Sequence, residues 1–365
     1  SMKLLDLYII KKYLGTFGFM LGLLTIIVLV IDVQAKAPRI ESNGFTVTEF
    51  LINFYPYWIV NLIITFMSIL VFISVIFFTS RIANDTEIVA IISSGASFHR
   101  FARPYLMTSG LIAIFALLLN HYVLPLANVK KNELEPYTYT TMAREEFTGS
   151  SEVSTQLSKT EYIFVKSYNK KEKRGTGFIY QKFDKNRKLI YQLNATDFNW
   201  DTTKKLFVLN NFFAKTINKD ETEKLENGSA MDKSFIHPPE ELFPDVLLGQ
   251  NKTTPDLIKF INREKEKGNG NLNNYLNELH QRTSMPVSVI ILTFLGLSLS
   301  SQKKRGGLGV NLAIGIALAF VFVFSFEALK VVSANKTMSP LFAMWLPNLI
   351  FGPVALYLYF KRANQ

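Results

Sequence analysis

Six runs of this chain are almost free of charge, and each is roughly 18–25 residues long, the length a helix needs to cross about 30 Å of hydrocarbon. They lie at Leu14 to Val33, Trp58 to Ser80, Tyr105 to Val129, Ser284 to Ser301, Leu308 to Val332 and Leu341 to Phe360. The pattern predicts an α-helical polytopic membrane protein with six transmembrane helices. The first run is too long for the apolar core of a cleavable leader, and no small-residue cleavage site follows it.

Charge fixes the expected orientation. The net charge is +11 although 48% of residues are hydrophobic, so the basic residues are confined to particular segments. One set of short loops and ends holds Lys3, Lys11, Lys12, Arg81, Arg100, Arg103, Lys303, Lys304, Arg305, Lys361 and Arg362; the opposite set holds only Lys36, Arg39, Lys330 and Lys336. Short cytoplasmic loops carry the excess of Lys and Arg, so both termini are expected in the cytoplasm. The long segment from about 126 to 283 then lies on the outer side.

That segment contains "EYIFVKSYN", "GTGFIYQKFD", "KLIYQLNATDFNWD" and "KLFVLNNFFAKTIN", aromatic and β-branched runs separated by Gly, Asn, Asp and Lys. Such runs at short spacing read as consecutive antiparallel strands of an all-β domain, a sandwich or jelly roll. Farther on, "TTPDLIKFINREKEKG" reads as a helix with Thr254 as N-cap, Pro255 at N1 and a stripe through Leu257, Ile258 and Ile261. "LNNYLNELHQRTSMPVS" reads as a helix running into the fourth span. The expected domains are residues 1–129 with helices one to three, 130–252 with a jelly-roll-like β domain, 253–283 with connecting helices, and 284–365 with helices four to six. The chain has no cysteine, which excludes disulfides and thiolate chemistry from its outer domain.

No stretch matches a phosphate-cradling GxxxxGKS or GxxxxGKT loop, so any ATP must be handled by a partner. Between spans two and three lies "TEIVAIISSGASFHRFARP", too polar to span yet carrying apolar residues at helix spacing. On a helix over about 84–95, Ile88, Ile91 and Ile92 share a patch, Asn84 or Asp85 caps the start, Glu87 sits in the first turn and Gly95 ends it. Two readings stay open: a membrane-surface helix whose acid stabilises its own N-terminus, or a helix that docks in a partner's groove through its apolar anchors.

The pattern of Glu87, Ala90, Ser94, Gly95, Ser97 and Arg100 resembles the cytoplasmic loop of the lipopolysaccharide-export permeases, the LptF and LptG subunits. "LLDLYIIKKYL", "ATDFNW", "ELHQRTSMPVSVIILTFLGLSLS" and "SPLFAMWLPNLIFGPVALYLYF" agree with the same family, and the opening stretch leans to the G type. One departure is Ile92, where the family often has an Arg. The resemblance implies a non-catalytic permease subunit in the bacterial inner membrane, with its β domain in the periplasm. It further implies a homologous LptF-like permease, an LptB-like dimer of cytoplasmic ABC ATPases that binds ATP and magnesium, and a single-span LptC-like accessory subunit. On this reading the chain itself holds no cofactor and binds no nucleic acid. Glu87, Ile88, Ile91, Gly95 and Arg100 would contact the ATPase.

A lipopolysaccharide site must join an apolar cavity to cations at the outer interface. Lys36, Arg39, Lys130 and Lys131 lie at the right depth to meet lipid phosphates, although snorkelling interface residues look the same in sequence. Glu327 and Lys330, one turn apart in span five, form a pair that either gates the seam between two permeases or simply satisfies itself; Asp32 reads the same way. His99, His121, His237 and His280 have no metal-ligand spacing and read as structural. A mechanotransducing subunit of the lipoprotein-release type would show four spans with its outer domain after the first. A membrane-anchored periplasmic binding protein, the other alternative, would need no ATPase.

Overall fold

The computed structural model describes residues 3–140, 149–244, 247–303 and 305–365; Lys304, counted among the basic-side residues, lies outside them. Among the described residues six helical segments are long and apolar enough to cross a membrane. They are α1 (Leu4–Ser42), α3 (Tyr55–Asn84), the continuous segment Phe98–Thr138, α9 (Asn273–Ser300), α10 (Gly307–Ala334) and α11 (Pro340–Ala363). Within the third segment α5 (Phe98–Leu118) passes through a π-helical turn, Leu119–Val123, into α6 (Leu124–Leu134) and a 3-10 turn, Glu135–Thr138. Short helix α2 (Val47–Asn53) joins the first two spans and α4 (Glu87–Ser93) the next two. The helices outrun the apolar stretches because polar turns beyond the hydrocarbon still satisfy their backbone bonds internally.

The fourth span, α9, is the pillar of the bundle, packing against α3, α5, α10 and α11. Lipid tails are as apolar as Leu, so packing and polar bonds must hold such helices together. The bonds are present: Tyr13 OH lies 2.8 Å from Thr293 Oγ1, Ser288 Oγ donates to Ser68 Oγ at 3.0 Å, and Asn311 Nδ2 donates to Ser80 Oγ at 3.0 Å. At Gly296 a Cβ would come within 3.1 Å of the Val75 side chain, so α9 and α3 approach more closely there than most side chains allow.

After the third span come β1 (Gly149–Ser158), β2 (Glu161–Asn169), β3 (Arg174–Phe183), β4 (Leu189–Asp201), β5 (Leu206–Ile217) and β6 (Glu223–Lys233). All pair antiparallel in sequence order in one sheet. The all-β domain expected from the aromatic runs is therefore present, with next-neighbour connections in place of the crossings that a sandwich or jelly roll uses. Strands β1 and β6 are additional to the four runs read from sequence.

A crease gives the sheet its depth. Buried residues alternate along each central strand and then skip one extra position: Val165 to Tyr168, Gly175 to Phe178, Ala195 to Phe198 and Leu209 to Phe212, the last half-buried. The register aligns these four breaks into one line across β2 to β5. Gly177 (φ 68°) and Asn211 (φ 50°) take left-handed conformations on that line, as residues at sharp sheet corners do. Both sides of the crease then face one aromatic interior, where Phe178 and Phe198 sit 5.2 Å apart and Phe235 contacts Phe178, Tyr180 and Phe207. A Cβ on Gly175 would lie 2.6 Å from the Phe198 ring, which explains the glycine there.

Helix α7 (Pro239–Leu242) closes this interior with Leu242 and Phe243, 0% and 2% exposed. Helix α8 (Thr254–Lys267) then returns the chain to the spans. Its N-cap is Thr253, which moves Thr254 to N1 and Pro255 to N2, one position from expectation. The buried stripe is Leu257, Phe260 and Ile261; Ile258 is 43% exposed and faces away. A charged knot ties α7 to α8: Glu241, 3% exposed, is met by Arg263, by Lys252 at 3.9 Å and by His237 Nδ1 at 3.5 Å. Burial lowers the His237 pKa, Lys267 adds to that, and Glu241 opposes it.

Candidate lipid and coupling sites

On the basic side of the bundle, α4 begins with Thr86 in a left-handed conformation (φ 60°) as N-cap, and neither Asn84, which ends α3, nor Asp85 caps it. Gly95 (φ 95°) lies just past its end. The carboxylate of Glu87 accepts a hydrogen bond from the Tyr8 hydroxyl at 2.5 Å, tying α4 to α1. Ile88 is 1% exposed and packs inward with half-buried Ile91 and Ile92, whereas Val89 is 59% exposed and Ala90 and Ser93 are also exposed. A partner arriving from water would meet the Val89 face. Arg100 makes a two-pronged pair with Asp6, Nη1 to Oδ1 at 2.5 Å and Nη2 to Oδ2 at 3.1 Å, and Asp6 is 1% exposed. The guanidinium fork thus fastens α5 to the start of α1.

At the other end, a cavity of about 490 Å³ opens between α3, the π-helical turn, α6, α9 and α10. Its floor is apolar, with Ile64, Ile69, Met285, Phe322 and Phe326; its rim carries Lys131, Arg282 and Lys330 with the amides of Asn61, Asn120, Asn128 and Gln281. Of the residues chosen from sequence, Lys131, Glu327 and Lys330 come together here. Lys330 bonds Glu327 at 3.1 Å and Lys131 bonds Glu135 at 2.9 Å, so each cation has a neighbouring carboxylate.

Lys36, Arg39 and Lys130 are placed elsewhere. Lys36 pairs with Asp32 at 3.0 Å and lies over the Phe54 and Trp58 rings, while Tyr55 OH donates to the same carboxylate at 3.0 Å. Arg39 is exposed at the end of α1 and Nη1 reaches the Thr138 carbonyl at 3.5 Å. Lys130 is exposed, 3.9 Å from Glu133.

Arg282 also lines this cavity; its place in the family-like stretch before the fourth span points in sequence only to helix-end and headgroup contacts. It is 4% exposed and donates to Glu278 at 3.0 Å, to Thr254 Oγ1 at 3.1 Å and to the Gly249 carbonyl at 3.0 Å. His121, on the π-helical turn, bridges Thr254 Oγ1 at 2.6 Å and Thr283 Oγ1 at 3.1 Å. Together they knot the third span, the fourth span and the start of α8 beside the cavity. A π-helical turn is rare and tends to occur where function needs it. Glu278 four residues before Arg282 was the available sequence signal. Among the described residues no group of three or more His, Asp or Glu is arranged to hold a metal ion.

A family model described as the lipopolysaccharide export system permease LptF/LptG matches residues 7–361. The chain belongs to this family. It is a multi-pass membrane permease of lipopolysaccharide export, and the match runs through all six spans and the sheet. No curated protein matches the chain.

Proposed function

We propose that this permease is the G-type half of an ATP-driven exporter that lifts lipopolysaccharide from the outer leaflet of the inner membrane into its own β domain. The observation that supports the export role is the family match across spans and sheet alike, and the opening stretch "LLDLYIIKKYL" is what leans to the G type. Both termini and α4 lie in the cytoplasm, as the basic ends of the helices favour, and the sheet lies in the periplasm. An LptF-like chain completes the cavity, an LptC-like subunit joins the assembly, and ATP with magnesium acts on an LptB-like dimer docked against α4.

The contacts suggest how force would pass. A push on the exposed Val89 face moves Glu87, whose hydrogen bond reaches Tyr8 and therefore α1. Helix α1 is the span with the least of its surface buried, 6% of its most apolar window, so it is the one freest to shift. Movement there would narrow the space shared with the second permease. Lys131, Arg282 and Lys330 would hold lipid phosphates while acyl chains occupy the floor below.

Coexpression with the second permease and the ATPase, followed by purification through this chain, tests the coupling step. Glu87→Ala and Val89→Asp should each release the ATPase, while Tyr8→Phe should retain it and lower lipid-stimulated ATP hydrolysis several-fold. Full retention and normal hydrolysis in all three would sink the coupling role of α4.

A further inference from the structure

The outward face of the sheet carries a pattern that neither the aromatic interior nor the cavity between the spans uses. Register places Gln156, Tyr162, Gln181 and Gln192 in one row across β1 to β4. The next row, across β2 to β5, is Phe164, Ile179, Asn194 and Phe213. Amides in these rows bond to one another, Gln181 Nε2 to Gln192 Oε1 at 3.1 Å and Gln192 Nε2 to Asn194 Oδ1 at 3.1 Å, which fixes their planes. Phe164 and Phe213 remain open, 38% and 43% exposed.

Toward the β1–β2 and β3–β4 turns this face deepens into a cleft of about 910 Å³. Tyr162, Phe164 and Phe183 form its floor, Gln156 and Gln181 its wall, and Lys159, Lys185 and Arg187 its rim. The Tyr162 and Phe183 rings meet edge to face with centroids 5.8 Å apart, so the floor offers two differently tilted surfaces. Among the described residues none of the three cations makes an ion pair. Asp184, the acid in the cleft, already accepts the backbone N–H groups of Asn186 at 2.8 Å and Lys188 at 2.9 Å through Oδ1.

Open rings, planar amides and unpaired cations ask for three chemistries in one ligand. A sugar ring offers an apolar C–H face to an aromatic ring, hydroxyls to amides that both donate and accept, and, where phosphorylated or carboxylated, an anion to Lys and Arg. An acyl chain would leave the amides and cations unused. We propose that this outward cleft binds an acidic oligosaccharide, with its rings on Tyr162 and Phe164 and its anionic group held by Lys159, Lys185 and Arg187. The inference goes beyond export through the sheet interior and stands on the cleft alone.

Saturation-transfer NMR with the full chain in phosphatidylcholine nanodiscs tests it. The probe is a singly phosphorylated mannose pentasaccharide, compared with the unphosphorylated pentasaccharide, inorganic phosphate and a charge-matched oligonucleotide. The phosphorylated sugar should bind at least tenfold tighter than the other three. Phe164→Ala, and Lys185→Gln combined with Arg187→Gln, should each weaken it tenfold or more with the thermal midpoint unchanged. Equal binding of the neutral sugar, tighter binding of the oligonucleotide, binding of phosphate alone, or variants that bind like the parent would overturn the proposal. With lipopolysaccharide added to the discs, displacement of the probe would identify the sugars of the membrane glycolipid as the ligand. Persistence of the probe would identify a soluble glycan, and either result supports the site. None of these readouts involves transport, so failure of the export mechanism would leave this result standing.

Discussion

Helices α9 and α1 are both long and apolar enough to cross a membrane, yet 56% of the most apolar window of α9 is buried and only 6% of that of α1. Composition does not produce the difference, since α1 is the more apolar of the two, with a mean hydropathy of 2.5 against 1.7. Polar and small residues do. Ser288, Thr293 and Gly296 give α9 hydrogen bonds and close approaches on the sides that face α3 and α1. Helix α1 instead presents Leu23, Ile26, Ile27 and Val30, all at least 47% exposed. In a bilayer the better-packed helix is the one with small and polar residues at its contacts, and a bare apolar face is surface left for lipid or a partner.

The comparison breaks most severely where α1 is anchored. Replacing Arg100 with Ala leaves the Asp6 carboxylate buried without its partner, and breaking such a pair costs about 3 kcal/mol. The thermal midpoint of the purified chain should fall by many degrees, and Asp6→Asn combined with Arg100→Gln should recover much of it. If the single variant melts like the parent, the Asp6 end of α1 is already loose and the anchoring contrast fails.

A second test compares the two helices directly. Gly296→Leu in α9 forces a side chain against Val75 and Phe72, and such overpacking costs roughly 1–3 kcal/mol. Ile26→Ala on the bare face of α1, 62% exposed, should leave the isolated chain unchanged within about 0.5 kcal/mol and instead reduce recovery of a second permease in a pull-down. Destabilisation by Ile26→Ala in the isolated chain would mean that α1 packs more tightly than its exposure indicates.

The same contrast governs what the sequence could disclose. Spans were legible because length and apolarity are enough to cross a bilayer. Partners of each span were not, since they depend on Ser, Thr, Asn and Gly whose facing depends on helix rotation. Strands β2 to β5 announced themselves through aromatic and β-branched alternation, whereas β6, "EKLENGSAMDK", is almost wholly exposed and has no apolar face to announce. The crease was hidden because it is an interruption of period two that acquires meaning only when four strands align it. At the basic end of the bundle, Glu87 and Gly95 lie on or beside a short helix as expected. Ile88, however, faces the bundle, and spacing alone cannot say which side of a short amphipathic helix meets its own protein. The cavity residues Asn61, Asn120 and Asn128 did carry a signal, because polar side chains within a span are functional suspects by default.

A smaller effect distinguishes the Glu327–Lys330 pair from the Arg100–Asp6 fork. The side chain of Glu327 is 64% exposed and that of Lys330 32%, so solvent screens their attraction and the pair contributes at most about 1 kcal/mol. Lys330→Gln should therefore leave the thermal midpoint nearly unchanged while weakening lipopolysaccharide retention by the cavity several-fold in a crosslinking assay. A large loss of stability with unaltered lipid capture would reverse those roles.

The smallest expected effect is a pH dependence at the knot between α7 and α8. His237 has a folded pKa held below the ordinary value of 6.5, chiefly by burial. Between that lowered value and 6.5 the unfolded chain binds a proton that the folded chain does not, so stability falls as pH drops through this window. Glu241 and Glu264 favour the protonated ring, whereas Lys267 opposes it, and Arg263 and Lys252 occupy the Glu241 carboxylate. His237→Gln should thus flatten the acid limb of the melting curve of the full chain without changing its midpoint at pH 8. The β domain is joined to the spans through this knot, so acid sensitivity retained in full by the variant would rule out His237 as its source.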